Sequence, residues 1–283
     1  MPERPLTLAV FAAALLLAAT AGADTPHITF DGTATQGGLL IAHAPGASSA
    51  TVDGKAVQLT DDGRFLIAIA RDRTDPVKVA VTLPGGQQAE HDVVPEKRQF
   101  DIQRIDGLPQ DRVTPPEHVL ERIRNDNELT RQARKRRDAR TDWAAGFSWP
   151  LTGRITGVYG SQRILNGEPR NPHWGLDIAA PTGTKVKAPA PGIVTLAHSD
   201  MYFSGGTLFI DHGHGLVSAF LHLSALDVEV GDVVERGQTI ARVGATGRAT
   251  GPHLDWRVNL GSIRIDPALL VDWNENPYAE QPR

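Results

Sequence analysis

The sequence predicts a mainly β protein: a small N-terminal β-sandwich, one linking helix and a C-terminal antiparallel β-domain. Three observations carry this. Short apolar runs punctuated by Asp-Gly and Gly-Gly turns fill the chain from His27 to about Val94. A helix-start signal near Thr114 precedes a run of cations ending at Arg140. From Phe147 to about Val271 helical periodicity nearly vanishes, and short apolar strands recur between Gly-Pro and Gly-Gly turns.

The N-terminus carries Arg4, an apolar run from Leu8 to Ala19 and the small residues Ala21-Gly22-Ala23. This reads as a secretory signal over residues 1–23, cleaved near Asp24. The run is twelve residues long, well short of the roughly 20 that a spanning helix needs. No other stretch approaches a membrane span, so the mature chain is expected to have no transmembrane segment.

Residues 24–98 form the expected sandwich. Gly37-Gly38 precedes Leu39-Leu40-Ile41, Asp53-Gly54 follows Ala50-Thr51-Val52, Asp62-Gly63 precedes Phe65-Leu66-Ile67, and Val77 to Val81 ends at Pro84-Gly85-Gly86. Its isolated His43 and His91 read as surface or packing residues. Residues 99–146 form a helical basic linker, with Thr114 as cap, proline in the first turn and Glu117 in the capping-box position. Val119, Leu120, Ile123, Leu129 and Ala133 give it an apolar stripe. Arg131, Arg134, Lys135, Arg136, Arg137 and Arg140 read as a solvated face that suits the helix C-terminal dipole; docking on an anionic polymer or lipid is the sharper alternative.

Residues 147–271 hold strands at Ile193 to Leu196, Thr207 to Asp211, Val217 to Leu221 and Thr239 to Val243, and residues 272–283 form a tail.

Composition narrows the chemistry. The 283 residues are 40% hydrophobic and 22% charged, ordinary for a folded soluble protein. A net charge of −4 gives no nucleic-acid signature. There is no cysteine, so disulfides, thiolate chemistry and Cys-type zinc are excluded, and any zinc site must use His and carboxylates.

Such residues stand in His173-Trp174-Gly175-Leu176-Asp177 and in His253-Leu254-Asp255. On a strand, residues two or four apart share a face, so each pair could project into one groove. His212, His214 and His198 read as structural or exposed, and Trp174 and Trp256 as packing aromatics. Gly160 to Pro172 is expected to be a loop over the groove, with Arg163 and Arg170 either meeting substrate carboxylates or serving as plain surface charge.

The stretch from Trp149 to Asp266 resembles the catalytic domain of the lysostaphin-like (LytM-type) zinc endopeptidases, which implies a barrel-sandwich-like β fold. The carrying segments are His173 to Pro181, Ala188 to Val194, Gly205 to Gly213, Phe220-Leu221-His222-Leu223-Ser224, Val230 to Val234 and Gly244 to Trp256, in the family's order. The resemblance implies that His173 and Asp177 are zinc ligands and that His222 and His253 are the active-site histidines. The family ends this last motif in H-L-H, whereas this chain has Asp255 at the third ligand position. A carboxylate can ligate zinc, but two of them lower the charge at the metal and favour harder ions such as Mn.

The resemblance therefore implies a metal-dependent endopeptidase acting on peptide cross-links of peptidoglycan, at D-Ala to diaminopimelate bonds, in a Gram-negative periplasm. A cell-division or cell-wall amidase partner is a further expectation. The alternative is a weak or inactive member that binds peptidoglycan or activates an amidase. Val228 to Val243 and Ala188 to Leu196 also resemble the half-repeats of biotinyl and lipoyl carriers, but no lysine stands in the context such a carrier modifies.

Overall fold

The computed structural model describes residues 27–105 and 116–278. The expected signal peptide, Thr114 and Pro115 lie outside the described residues. In chain order the N-terminal strands are β1 (Thr29–Gly32), β2 (Leu39–His43), β3 (Ser49–Val52), β4 (Lys55–Val57), β5 (Arg64–Ala68), β6 (Val77–Thr82), β7 (Gln88–Val93) and β8 (Ile102–Ile105). They build two antiparallel sheets, β1-β2-β5 and β4-β3-β6-β7. Leu40, Ala42, Phe65 and Ile67 of the first sheet share a core with Ala50, Val77, Val79 and Val81 of the second, giving the sandwich.

The unbroken apolar run Leu39 to Ala42 has a reason: strands buried on both faces lose the polar alternation. Leu39, Leu66 and Ala68 point away from the sandwich core and join the core of the C-terminal half.

The single α-helix among the described residues is Leu120–Ala133, preceded by a 3-10 turn Glu117–Val119. Pro116 stands at the N-cap without a side-chain cap hydrogen bond. Of the expected stripe only Ala133 is buried, and Leu120 and Leu129 are exposed. The cations that follow are mostly engaged within the protein. Arg131 pairs with Glu128, Arg136 with Asp138, and Arg140 reaches the buried Asp211 at 2.7 Å.

The C-terminal half contains β9 (Arg154–Gly157), β10 (Gln162–Leu165), β11 (Glu168–Pro169), β12 (Leu176–Ala179), β13 (Lys185–Lys187), β14 (Gly192–Met201), β15 (Gly205–Asp211), β16 (Leu216–Leu223), β17 (Ala225–Leu226), β18 (Val233–Val234), β19 (Thr239–Arg242), β20 (His253–Leu260) and β21 (Ile263–Ile265). Its main sheet runs β18-β14-β15-β16-β20-β12-β9, with β21 beside β20. A smaller sheet, β13-β19-β17, helps close the core on the inner face through Val186, Ile240 and Ala241.

Alternation then dictates the outer face. In β20, Leu254, Trp256 and Val258 enter the core, which sends Asp255, Arg257 and Asn259 outward. The segment expected as a loop carries β10 and β11 instead, and β10 pairs in parallel with the distant β8. Part of the expected tail is docked: Asn276 exchanges hydrogen bonds with both backbone groups of Gly153, and Trp273 packs edge-on against Trp149.

His212 confirms the structural reading given to it. Its Nδ1–H donates to the Pro191 carbonyl and its Nε2 accepts from Ser218, a fully buried neutral imidazole. Burial pushes its pKa down to about 4, whereas an unfolded histidine titrates near 6.5, roughly. Between these values the unfolded chain binds a proton that the folded chain refuses, so His212's contribution is full above pH 6.5 and falls, by up to about 3 kcal/mol, towards pH 4. Asp211, raised to about 6 by burial despite Arg140, acts oppositely: its folded form protonates first as pH falls. Urea midpoints of His212→Gln are therefore expected to fall less between pH 6.5 and 4 than those of the wild type.

Candidate metal centre

β12 and β20 are antiparallel neighbours in which Asp177 stands directly opposite Asp255. His253, the first residue of β20, adds its ring at the same edge, with Nε2 3.9 Å from Asp177 Oδ1. His173 arrives differently from the strand pattern expected, because β12 begins only at Leu176. Its backbone is held by Gly160 and Ser161, each hydrogen bond 2.8 Å, and this places the ring over Asp177.

Donor atoms of His173, Asp177 and Asp255 lie within 4.8 Å of one another. His173 Nε2 and Asp177 Oδ1 are 3.1 Å apart, yet both are buried without a hydrogen-bond partner. Two acceptors that face a common point rather than each other suit a cation: bonds of 2.0–2.2 Å in a tetrahedron separate ligands by about 3.4 Å. The donor set fits a divalent metal on these two atoms.

Asp255 is different. It is 2% exposed, and Arg257 holds both its oxygens, from Nε at 3.0 and 3.1 Å and from a terminal nitrogen at 2.5 Å. Burial alone would raise the carboxyl's pKa, but the Arg257 charge and hydrogen bonds outweigh it and hold the group well below the usual carboxylate range. Sequence reasoning passed over Arg257, although Asp-x-Arg on a strand puts both side chains on one face.

Glycines make room for these carboxylates. A Cβ on Gly175 would overlap Asp255 Oδ1, and one on Gly157 would overlap the Asp177 carboxylate. Gly157→Ala is expected to displace Asp177 and weaken metal binding by about tenfold or more, read by competition against a chromophoric chelator.

His222 reaches the site through a register shift. Two residues, Leu221 and His222, lie between the pairs Gly206↔Leu223 and Leu208↔Phe220, where β15 supplies one. This bulge, with His222 at φ 63°, resets the alternation: Phe220 and Leu223 enter the core while the His222 ring meets that of His253 at 4.8 Å. Nδ1–H of His222 donates to the Thr246 carbonyl and that of His253 to the Gly251 carbonyl, so Nε2 is the acceptor atom of each ring. Burial pushes the His222 pKa down, favouring the neutral base.

Of the other candidates, Trp256 is in the core and Trp174 leans on Tyr159 at 6.0 Å. Arg170 Nε is buried without a partner, and the side chain of Arg163 lies outside the described residues.

An antiparallel β-sheet with a His and carboxylate cluster and two facing imidazoles on its outer side defines a metallopeptidase-like centre. The model of Peptidase family M23 matches residues 171–267. A Pseudomonas aeruginosa structure assigned to peptidase M23 is 32% identical, with a TM-score of 0.64, over 84% of this chain and 95% of that one. The chain belongs to peptidase family M23. Peptidoglycan DD-endopeptidase ShyC of Vibrio cholerae is 37% identical over 35% of this chain, and cell division protein DipM of Caulobacter vibrioides is 33% identical over 44% of it. The chain matches only 22% and 20% of the lengths of those two relatives.

Proposed function

We propose that this chain is a metal-dependent endopeptidase that hydrolyses peptide cross-links of bacterial peptidoglycan, at D-Ala to diaminopimelate bonds. His173, Asp177 and Asp255 hold a zinc ion, and His222 and His253 carry the proton chemistry. The observation that carries this reading is the pair of buried, unpartnered acceptors on His173 and Asp177 beside two imidazoles with free Nε2 atoms. ShyC, whose name states DD-endopeptidase activity, supports the substrate class.

Zinc held by these residues would supply Lewis-acid chemistry, polarising a scissile carbonyl and acidifying a water. His253 Nε2, next to Asp177, is placed to take the proton of an attacking water and hand it to the leaving amine. His222 Nε2, once protonated, donates towards the developing oxyanion. The backbone acceptors on both Nδ1–H groups fix the tautomer that these roles need.

The signal-like N-terminus and the DD-endopeptidase relative support export to a Gram-negative periplasm. No helix among the described residues is long and apolar enough to cross a membrane.

A second reading has its own support: because Arg257 occupies both oxygens of Asp255, the third ligand must share its carboxylate with a cation. A weak or silent site that binds peptidoglycan or activates an amidase is thus the rival, and the name of DipM agrees with a division role. Incubating purified protein with muropeptide dimers and supplied Zn or Mn decides between them. Chelator-sensitive monomer release supports the enzyme; intact dimers with retained sacculus binding overturn it.

A further inference from the structure

Beside the metal centre, the outer face carries cations that the proposed chemistry does not use. Arg257 and Asn259 alternate onto this face from β20, and Arg264 enters it from β21, directly opposite Asn259. Across the sheet, Arg257 pairs with Ala219 and Ala219 with Phe209. The end of the helix closes the group: the Arg134 guanidinium lies 4.5 Å above the Phe209 ring.

Three guanidinium groups thus act on one another across this face, and the carboxylate beside them, Asp255, is already held by Arg257. Among the described residues no carboxylate lies within ion-pair distance of Arg134 or Arg264. Individual buried polar atoms here lack neutral acceptors as well. Arg134 Nε, Arg264 Nη1 and both amide atoms of Asn259 are buried without hydrogen-bond partners, and Asn259 is 1% exposed.

Buried donors without acceptors are costly, and unpaired buried charge more so. Burial and the neighbouring guanidinium charges pull Arg134 down to about 9 and Arg264 to about 10. What the group lacks is an acceptor carrying negative charge, and a planar guanidinium fork matches a carboxylate.

We propose that Arg134, Arg264 and Asn259 form an anion subsite for a carboxylate, adjoining the metal centre through Arg257. Resting on the endopeptidase reading, its occupant is a free carboxylate of the stem peptide close to the scissile bond. The helix then contributes a substrate contact as well as cover for the sheet.

The test uses the full chain and a probe without a cross-link, N-acetyl-D-alanine, against its neutral amide, with binding read from the rise in unfolding temperature. The carboxylate is expected to stabilise the wild type and the amide not. Arg134→Met and Arg264→Met should weaken the carboxylate response by about tenfold or more, and without ligand they should unfold no earlier than the wild type. Equal stabilisation by the amide, no response in the wild type, a full response in both variants, or lower ligand-free stability of the variants each overturns the subsite. Should the methionine variants not fold, Arg264→Lys replaces them: a weakened response supports the proposal and an unchanged one overturns it. Since the probe is not a cross-link, failure to cleave muropeptides sinks the endopeptidase reading and leaves this measurement standing.

Discussion

Asp255→Ala is expected to cost about 3 kcal/mol of stability and to remove the proposed third metal ligand in one step. The two losses have separate origins. Asp255 is the only salt-bridge partner of Arg257 among the described residues, and the guanidinium would stay beneath the outer face with its counter-charge gone. Breaking one side of a buried pair typically costs roughly 3–5 kcal/mol, and the partial exposure of Arg257, 26% of its side chain, favours the lower end. Urea unfolding measures the first loss and metal titration the second. Asp255→His, which supplies the ligand type of the family's H-L-H motif, should be similarly destabilised because imidazole cannot neutralise Arg257. Adding Arg257→Met should recover much of the stability and bind zinc more tightly than the wild type. Unchanged stability in Asp255→Ala would show that the pair does not hold this strand.

The second large effect concerns His222 and His253. Alanine at either position is expected to lower kcat on muropeptide dimers by about 10²–10⁴ with metal stoichiometry retained. His222 offers a sharper variant. Its φ of 63° is strained for any residue with a Cβ, while glycine adopts it freely. His222→Gly should thus be at least as stable as His222→Ala and equally inactive. If His222→Gly kept wild-type turnover, the assignment of proton chemistry to this histidine would be wrong.

Much of the fold could be read from local pattern. Turn dipeptides marked the strand ends, and the apolar runs at Leu39 and Phe65 belong to strands buried on both faces. The pair His253 and Asp255 followed from strand alternation alone. What local pattern could not supply was register between distant strands. The bulge that turns His222 outward exists only in the pairing of β15 with β16, and the parallel pairing of β10 with β8 joins segments about sixty residues apart. His173 was reachable by motif but not by alternation, since backbone bonds to Gly160 and Ser161 set it. Arg257 was visible as Asp-x-Arg; its grip on the ligand position depended on both residues being buried together.

The first sheet of the sandwich, with Leu40 and Phe65 on one side and Leu39 and Leu66 on the other, belongs to two cores at once. Cutting the chain after residue 146 would strip Leu39, Leu66, Ala68 and Trp143 from the larger core and leave its wall open to water. Melting of either half therefore withdraws support from its neighbour, and heat should carry the full-length protein through one calorimetric transition in place of two.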